Sequence, residues 1–151
     1  IVGEFEDKLN AADLTLLIQK PETPVYVMAD GRHFWRVIDN LMNNICKYAQ
    51  PGTRVYVDLR ENGGQVELIF RNTSRYPLNI SSEELMERFV RGDESRNTEG
   101  SGLGISIAKS LMELMGGSFM LYVDGDLFKV VLGFAQMEEE KEPLDEDKSG
   151  K

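Results

Sequence analysis

Two asparagines one helical turn apart, Asn40 and Asn44, followed by Lys47 and Tyr48, form the first constellation that could do chemistry. In a helix these four side chains fall together on one flank, beside the stripe that Phe34, Ile38, Leu41 and Ile45 would bury. Asparagine forms helices poorly, costing about 0.5 kcal/mol against alanine, so a pair on one flank invites a reason. A neutral amide oxygen can take one coordination position on Mg²⁺, which keeps waters and draws its other ligands from substrate phosphates. Lys47, one turn on, could then meet a phosphate as a point charge. A solvated helix flank accounts for the same residues, and the pattern alone leaves both readings open.

Gly100-Ser101-Gly102-Leu103-Gly104 is the second constellation. Glycines let backbone N–H groups approach an anion, and a helix beginning there adds about half a positive charge. The stretch lacks the G-x-x-x-x-G-K-[ST] pattern and follows no strand directly, so neither a P-loop nor a dinucleotide fold fits. A flexible hinge explains it equally when it is read in isolation. His33, the one histidine, reads as a surface residue at a helix start.

These residues need elements to hold them. Phe5 and Leu9 at i, i+4 suggest the last turns of a helix over Glu4–Asn10. Strand-like runs follow at Leu14–Gln19 and Val25–Met28, around the breakers Pro21 and Pro24. A long amphipathic pattern from about Arg32 to Ala49 ends at Gln50-Pro51-Gly52. Thr53–Arg60 and Gln65–Phe70 alternate on either side of Asn62-Gly63-Gly64, which predicts a hairpin. A short helix is expected at Ser82–Phe89, and a second long one at Leu103–Met115, stopped by Gly116-Gly117. Phe119–Val123 and Phe128–Phe134 close the pattern as a hairpin around Asp124-Gly125-Asp126. Mixed helices and hairpins of this kind pack as a two-layer α/β sandwich.

The chain has 151 residues, 41% of them hydrophobic and 28% charged, which suits one globular domain with one core. The division expected is the end of a linker over 1–12, the domain over 13–134, and an acidic, disordered tail over 135–151. Seven acids and three lysines give that tail a balance of −4 out of a total of −9. An acidic chain without a basic stripe is a poor ligand for nucleic acid, because phosphate neutralisation supplies most non-specific affinity. Its longest apolar runs fall far short of the roughly 20 residues of a membrane helix. A single cysteine, Cys46, excludes an intramolecular disulfide. The start at Ile1 reads as an excision from a longer protein.

Asn40-Leu41-Met42-Asn43-Asn44-Ile45-Cys46-Lys47-Tyr48 resembles the N box of sensor histidine kinases. Glu87-Arg88-Phe89-Val90-Arg91-Gly92 resembles their F box, and Gly100–Gly104 followed by Ile105-Ser106-Ile107-Ala108-Lys109 resembles their second glycine box. The motifs stand in the family's order over about Asp13–Phe134. The resemblance implies the Bergerat (GHKL) fold, a mixed, mostly antiparallel sheet backed by about three helices, with ATP held under a lid between the N-box helix and the glycine box. It implies Asn44 as the Mg²⁺ ligand, with Asn40, Lys47 and Tyr48 around the phosphates and ribose. Phe89, Arg91, Gly100, Ser101, Gly102, Leu103 and Gly104 would complete the nucleotide site. The lid would be Arg91–Ser101, with Arg91 and Arg96 meeting the γ-phosphate; Arg96 could instead pair with Asp93 or Glu94. Asn44, Lys47 and Arg96 are the catalytic candidates.

The partners implied are a separate helical domain of the parent chain, carrying the phosphoacceptor histidine, and a response regulator. The parent would be a homodimer anchored in the cell membrane, and this piece a cytoplasmic, monomeric domain that does not phosphorylate itself. One box departs. Where the family carries Asp-x-Gly-x-Gly, after the strand expected to end near Phe70, this chain has Asn72-Thr73-Ser74-Arg75-Tyr76. Asn72 can still accept from the adenine amino group but without charge, which predicts modest ATP affinity and a reduced preference over GTP. The lost glycines motivate an alternative, a nucleotide-binding regulatory module without transfer activity. A third reading, another ATPase of the same fold, is disfavoured because no acid adjoins Asn44.

Overall fold

A computed structural model describes residues 2–91 and 103–137. Along the chain the elements are α1 (Val2–Ala11), β1 (Leu14–Gln19), β2 (Tyr26–Val27), α2 (Gly31–Tyr48), β3 (Thr53–Asn62), β4 (Gln65–Thr73), α3 (Ser82–Arg91), α4 (Leu103–Leu114), β5 (Ser118–Asp124) and β6 (Leu127–Met137). The strands form one sheet in the order β1-β3-β4-β6-β2, with β5 also paired to β6. Only β1 and β3 run parallel. The mixed, mostly antiparallel sheet is therefore as the resemblance implied, and four helices are present among the described residues where about three were expected.

The added helix is α1. Its Phe5 and Leu9 are buried in the main core, and the Phe5 ring lies 6.0 Å from that of Trp35 on α2. Glu4–Asn10 is thus packed structure, which the apolar pair at i, i+4 makes possible by putting both side chains on one face. At the other end β6 continues beyond Phe134 to Met137, where Gln136 and Met137 pair with β2.

Turn chemistry sets the register. Gly63 and Gly64 both have positive φ, 58° and 85°, the backbone that a two-residue hairpin loop needs to match strand twist. The loop pairs Asn62 with Gln65, and from there the pleat fixes which side chains face inward. Val57 faces Phe70, Phe70 faces Val130, Leu68 faces Leu132, and Val130 faces Leu121. Onto this row α2 lays Val37, Ile38, Leu41, Met42 and Ile45, and α4 lays Ile105, Ala108 and Met112. Burying each large aliphatic side chain contributes about 1.5–3 kcal/mol, so the sheet–helix layer is the stabilising unit.

The same register has a consequence for the site. On β4 the inward positions are Val66, Leu68, Phe70 and Asn72, and the strand does not stop near Phe70 but runs to Thr73. Asn72 is thus a strand residue opposite Val55 and Phe128, in a row otherwise apolar. No described helix is long and apolar enough to cross a membrane.

Candidate nucleotide site

The α2 helix starts at a built cap. The carboxylate of Asp30 accepts from the backbone N–H groups of Arg32 and His33 at 2.9 and 3.1 Å, and the Asp30 carbonyl accepts from Phe34. These bonds, the one from His33 foremost, hold the Asp30 carboxyl below its ordinary value. His33 sits in this first turn with its Nδ1 4.0 Å from Asp30. Down the helix, Asn40, Asn44 and Lys47 occupy the flank beside the core stripe and line a groove of about 900 Å³, together with Asn43, Gly104 and Lys8. Lys8 of α1 donates to Asn43 at 2.8 Å, fixing one wall. Cys46 also lines this groove; burial holds its thiol above the usual range and makes it a poor nucleophile at neutral pH.

Gly104, in the first turn of α4, abuts Asn40. A Cβ there would stand 3.2 Å from the Asn40 amide oxygen, tighter than ordinary contact, so the glycine lets the helix start press against the asparagine flank.

A second cavity, of about 660 Å³, opens at the end of β4 and shares Asn44 and Lys47 with the groove. Tyr48, Asn72, Ser74, Leu85, Phe89 and Phe128 line it, with the 76–80 segment at its rim. Phe89 of α3 meets Phe128 edge-on, their centroids 6.4 Å apart. The rim is pinned on both sides. Arg75 donates to the Tyr48 carbonyl at 2.8 Å, Ser74 to that of Asp126 at 2.7 Å, and Leu78 to that of Gly125 at 3.0 Å. The Ser74 hydroxyl accepts from the Tyr76 backbone N–H at 3.2 Å. Where glycines were expected, side chains and hydrogen bonds hold this segment.

Asn72 and Ser74 are the buried polar residues among those described, 4% and 8% exposed. The Asn72 amide oxygen is fully buried and has no hydrogen-bond partner among the described residues. Leaving such an atom unsatisfied costs about 1–3 kcal/mol, and native proteins rarely carry one without a use. Its place in the wall of an aromatic-lined cavity suits it to accept from a bound group.

The structure thus brings Asn40, Asn44, Lys47, Tyr48, Asn72, Phe89 and Gly104 around two adjoining spaces. Arg91 is the last residue of α3 and Leu103 the first of α4; the lid expected over Arg91–Ser101 lies, beyond Arg91, outside the described residues. Arg96, Gly100, Ser101 and Gly102 lie outside the described residues. Ser74, Leu85, Arg88, Phe128 and Lys8 line the spaces without having been singled out in the sequence. For Ser74 the signal was available, since period-two alternation continues Phe70 through Asn72 to it.

Residues 29–143 match the family described as histidine kinase-, DNA gyrase B- and HSP90-like ATPases. The chain is 29% identical over 137 residues to the probable sensor kinase SilS of Salmonella typhimurium, covering 89% of this chain and 28% of that protein. It is 34% identical over 110 residues to the probable sensor protein PcoS of Escherichia coli, covering 70% and 24%. It therefore spans about a quarter of the length of these relatives. In fold it is similar to the catalytic domain of histidine kinase ThkA, with a TM-score of 0.73 at 20% identity over 88% of this chain and 86% of that one. A partly aromatic cavity beside an amide-and-lysine flank is an arrangement that suits a nucleoside phosphate, and the chain belongs to the histidine kinase-, DNA gyrase B- and HSP90-like ATPase family, as an ATP-binding domain of the sensor-kinase kind.

Proposed function

We propose that this domain positions Mg-ATP for transfer of its γ-phosphoryl group to a histidine on a separate helical domain, in a membrane-anchored homodimeric sensor that signals to a response regulator. The single observation that carries the reading is that Asn44 and Lys47 line both spaces. A base seated among Tyr48, Asn72, Phe89 and Phe128 would send its phosphates along α2 toward Asn44, Asn40 and the start of α4.

The work of these residues is binding and orientation. Asn72 accepts from the base, Phe89 and Phe128 exclude water from it, and Lys47 offsets phosphate charge. Asn44 would hold Mg²⁺ through its amide oxygen, and the ion would supply positive charge against the phosphates. Among the described residues no cluster of three His, Cys, Asp or Glu offers a metal site, so the ion's other ligands would be phosphates and water. Arg91 and Arg96 are proposed to meet the γ-phosphate.

His33 is poorly placed as an acceptor. It lies eleven residues before Asn44 on the same helix, about 16 Å along the axis at the α-helical rise. Incubated with γ-labelled ATP, the chain should acquire no acid-labile phosphate, and a helical domain bearing the acceptor histidine, added in trans, should become labelled. Labelling at His33 would overturn this assignment of donor and acceptor.

A further inference from the structure

Resting on the nucleotide reading above, we infer that the base pocket is ambivalent at position 6 of a purine, accepting a 6-oxo as well as a 6-amino group. Asn72 is the residue responsible. Asn72 lines the cavity, and its buried amide oxygen is held by no protein group among those described. Turning the amide end for end therefore breaks no hydrogen bond at that oxygen.

An amide carries an acceptor on one end and two donors on the other. Facing a 6-amino purine, Asn72 accepts through its oxygen; facing a 6-oxo purine, it donates through its nitrogen to the carbonyl. A carboxylate in the same place accepts only, so it binds the first base and repels the second. The apolar walls do not discriminate at position 6, and of the polar lining groups Asn72 is the one with a buried, unpartnered acceptor. Leu85, Phe89 and Phe128 are apolar or aromatic and contact any purine through its faces and edges. The Ser74 hydroxyl already accepts from Tyr76, and the backbone bonds of residues 74–78 fix the rim whichever base is bound. Selection at position 6 thus falls on one rotatable amide.

The test compares Mg-ATP with Mg-ITP, whose base carries a carbonyl at position 6 and lacks the 2-amino group that would add a second difference. Calorimetric titration of the 151-residue chain should give dissociation constants within about threefold of each other, as for two neutral hydrogen bonds of similar strength. In Asn72→Asp the ratio should widen by about tenfold or more, ATP tightening and ITP weakening, because the charged acceptor strengthens one contact and opposes the other. A native chain that rejects ITP by more than about tenfold overturns the inference while leaving the nucleotide site standing. That arm needs no variant, so it decides the matter even if Asn72→Asp fails to fold. Should the native chain bind neither nucleotide, the nucleotide reading falls, and the inference with it.

Discussion

The two walls of the site carry asparagines of opposite character. On α2, Asn40 and Asn44 are half-exposed on a helix flank, and the helix packs through other residues. On β4, Asn72 is buried in the inward row, taking a position where the strand's own packing favours an apolar side chain. The first pair lies outside the buried stripe, Asn40 against Gly104, whereas the third residue sits within the buried row. A ligand contact made on a helix flank can be added at little cost in stability. One made from inside a sheet must be kept despite an unsatisfied oxygen.

The strongest way to break this contrast is Asn44→Ala. If Asn44 contributes a contact to the charged phosphate–metal group, its loss should weaken Mg-ATP binding about ten- to a hundredfold, while stability stays within about 0.5 kcal/mol of native. Calorimetry with and without EDTA, beside circular dichroism of the variant, reads both. Undiminished binding by a folded variant removes Asn44 from the site.

Asn72→Leu should do the reverse to the fold. Replacing a buried, unpartnered amide by an apolar side chain of similar size should raise unfolding stability by about 1 kcal/mol in urea titration. ATP binding should fall about tenfold as the acceptor disappears. A destabilised variant would mean that the Asn72 amide makes a bond in the free protein, and the contrast between the two walls would be lost.

Gly104→Ala should act more gently. Alanine favours the helix by about 1 kcal/mol, and against that a Cβ would crowd the Asn40 amide at 3.2 Å. The expected outcome is equal or greater stability with ATP binding weakened about threefold, roughly 0.7 kcal/mol, as Asn40 is pushed aside. Tighter binding would show that Asn40 does not meet the nucleotide from its present rotamer.

The same contrast explains what the sequence made legible. The α2 flank could be read because a helix displays its polar residues at a period different from its apolar ones, so Asn40, Asn44 and Lys47 stand out as a set. The hairpin strands and their glycine turns could be read for a similar reason. The end of β4 could not, because Asn72 and Ser74 look like the start of a loop when polarity is taken to end a strand. Only the register of Asn72 with Val55 and Phe128 shows that the strand continues through it, and the alternation then carries on to Ser74. The role of α1 was hidden because Phe5 and Leu9 reveal an apolar face but not what covers it. Lys8 enters the groove through a contact thirty-five residues away in sequence, with Asn43, that no local pattern announces.

The smallest effect is expected at the start of α2, which holds the asparagine flank in place. Asp30 is the N-cap, exposed, with its carboxyl held below 3.8 by the backbone bonds from His33 and Arg32. Because the folded state lowers this group's pKa, its contribution is present above the unfolded value of about 3.8 and is lost as pH falls through the folded one. Asparagine caps helices nearly as well and does not titrate, so Asp30→Asn should keep the cap and remove its pH dependence. Native chain and variant, compared by urea midpoint, should differ slightly in the native chain's favour at neutral pH, where the carboxylate also meets the positive end of the helix. The gap should close as the solution is taken below pH 3.8, since the protonated carboxyl is then no better an acceptor than the amide. ATP binding at neutral pH should be unchanged, because the cap lies at the opposite end of α2 from Asn44. A gap that is constant or grows on acidification would show that the charge of Asp30 does not support the helix start, and that the first turn is held by packing instead.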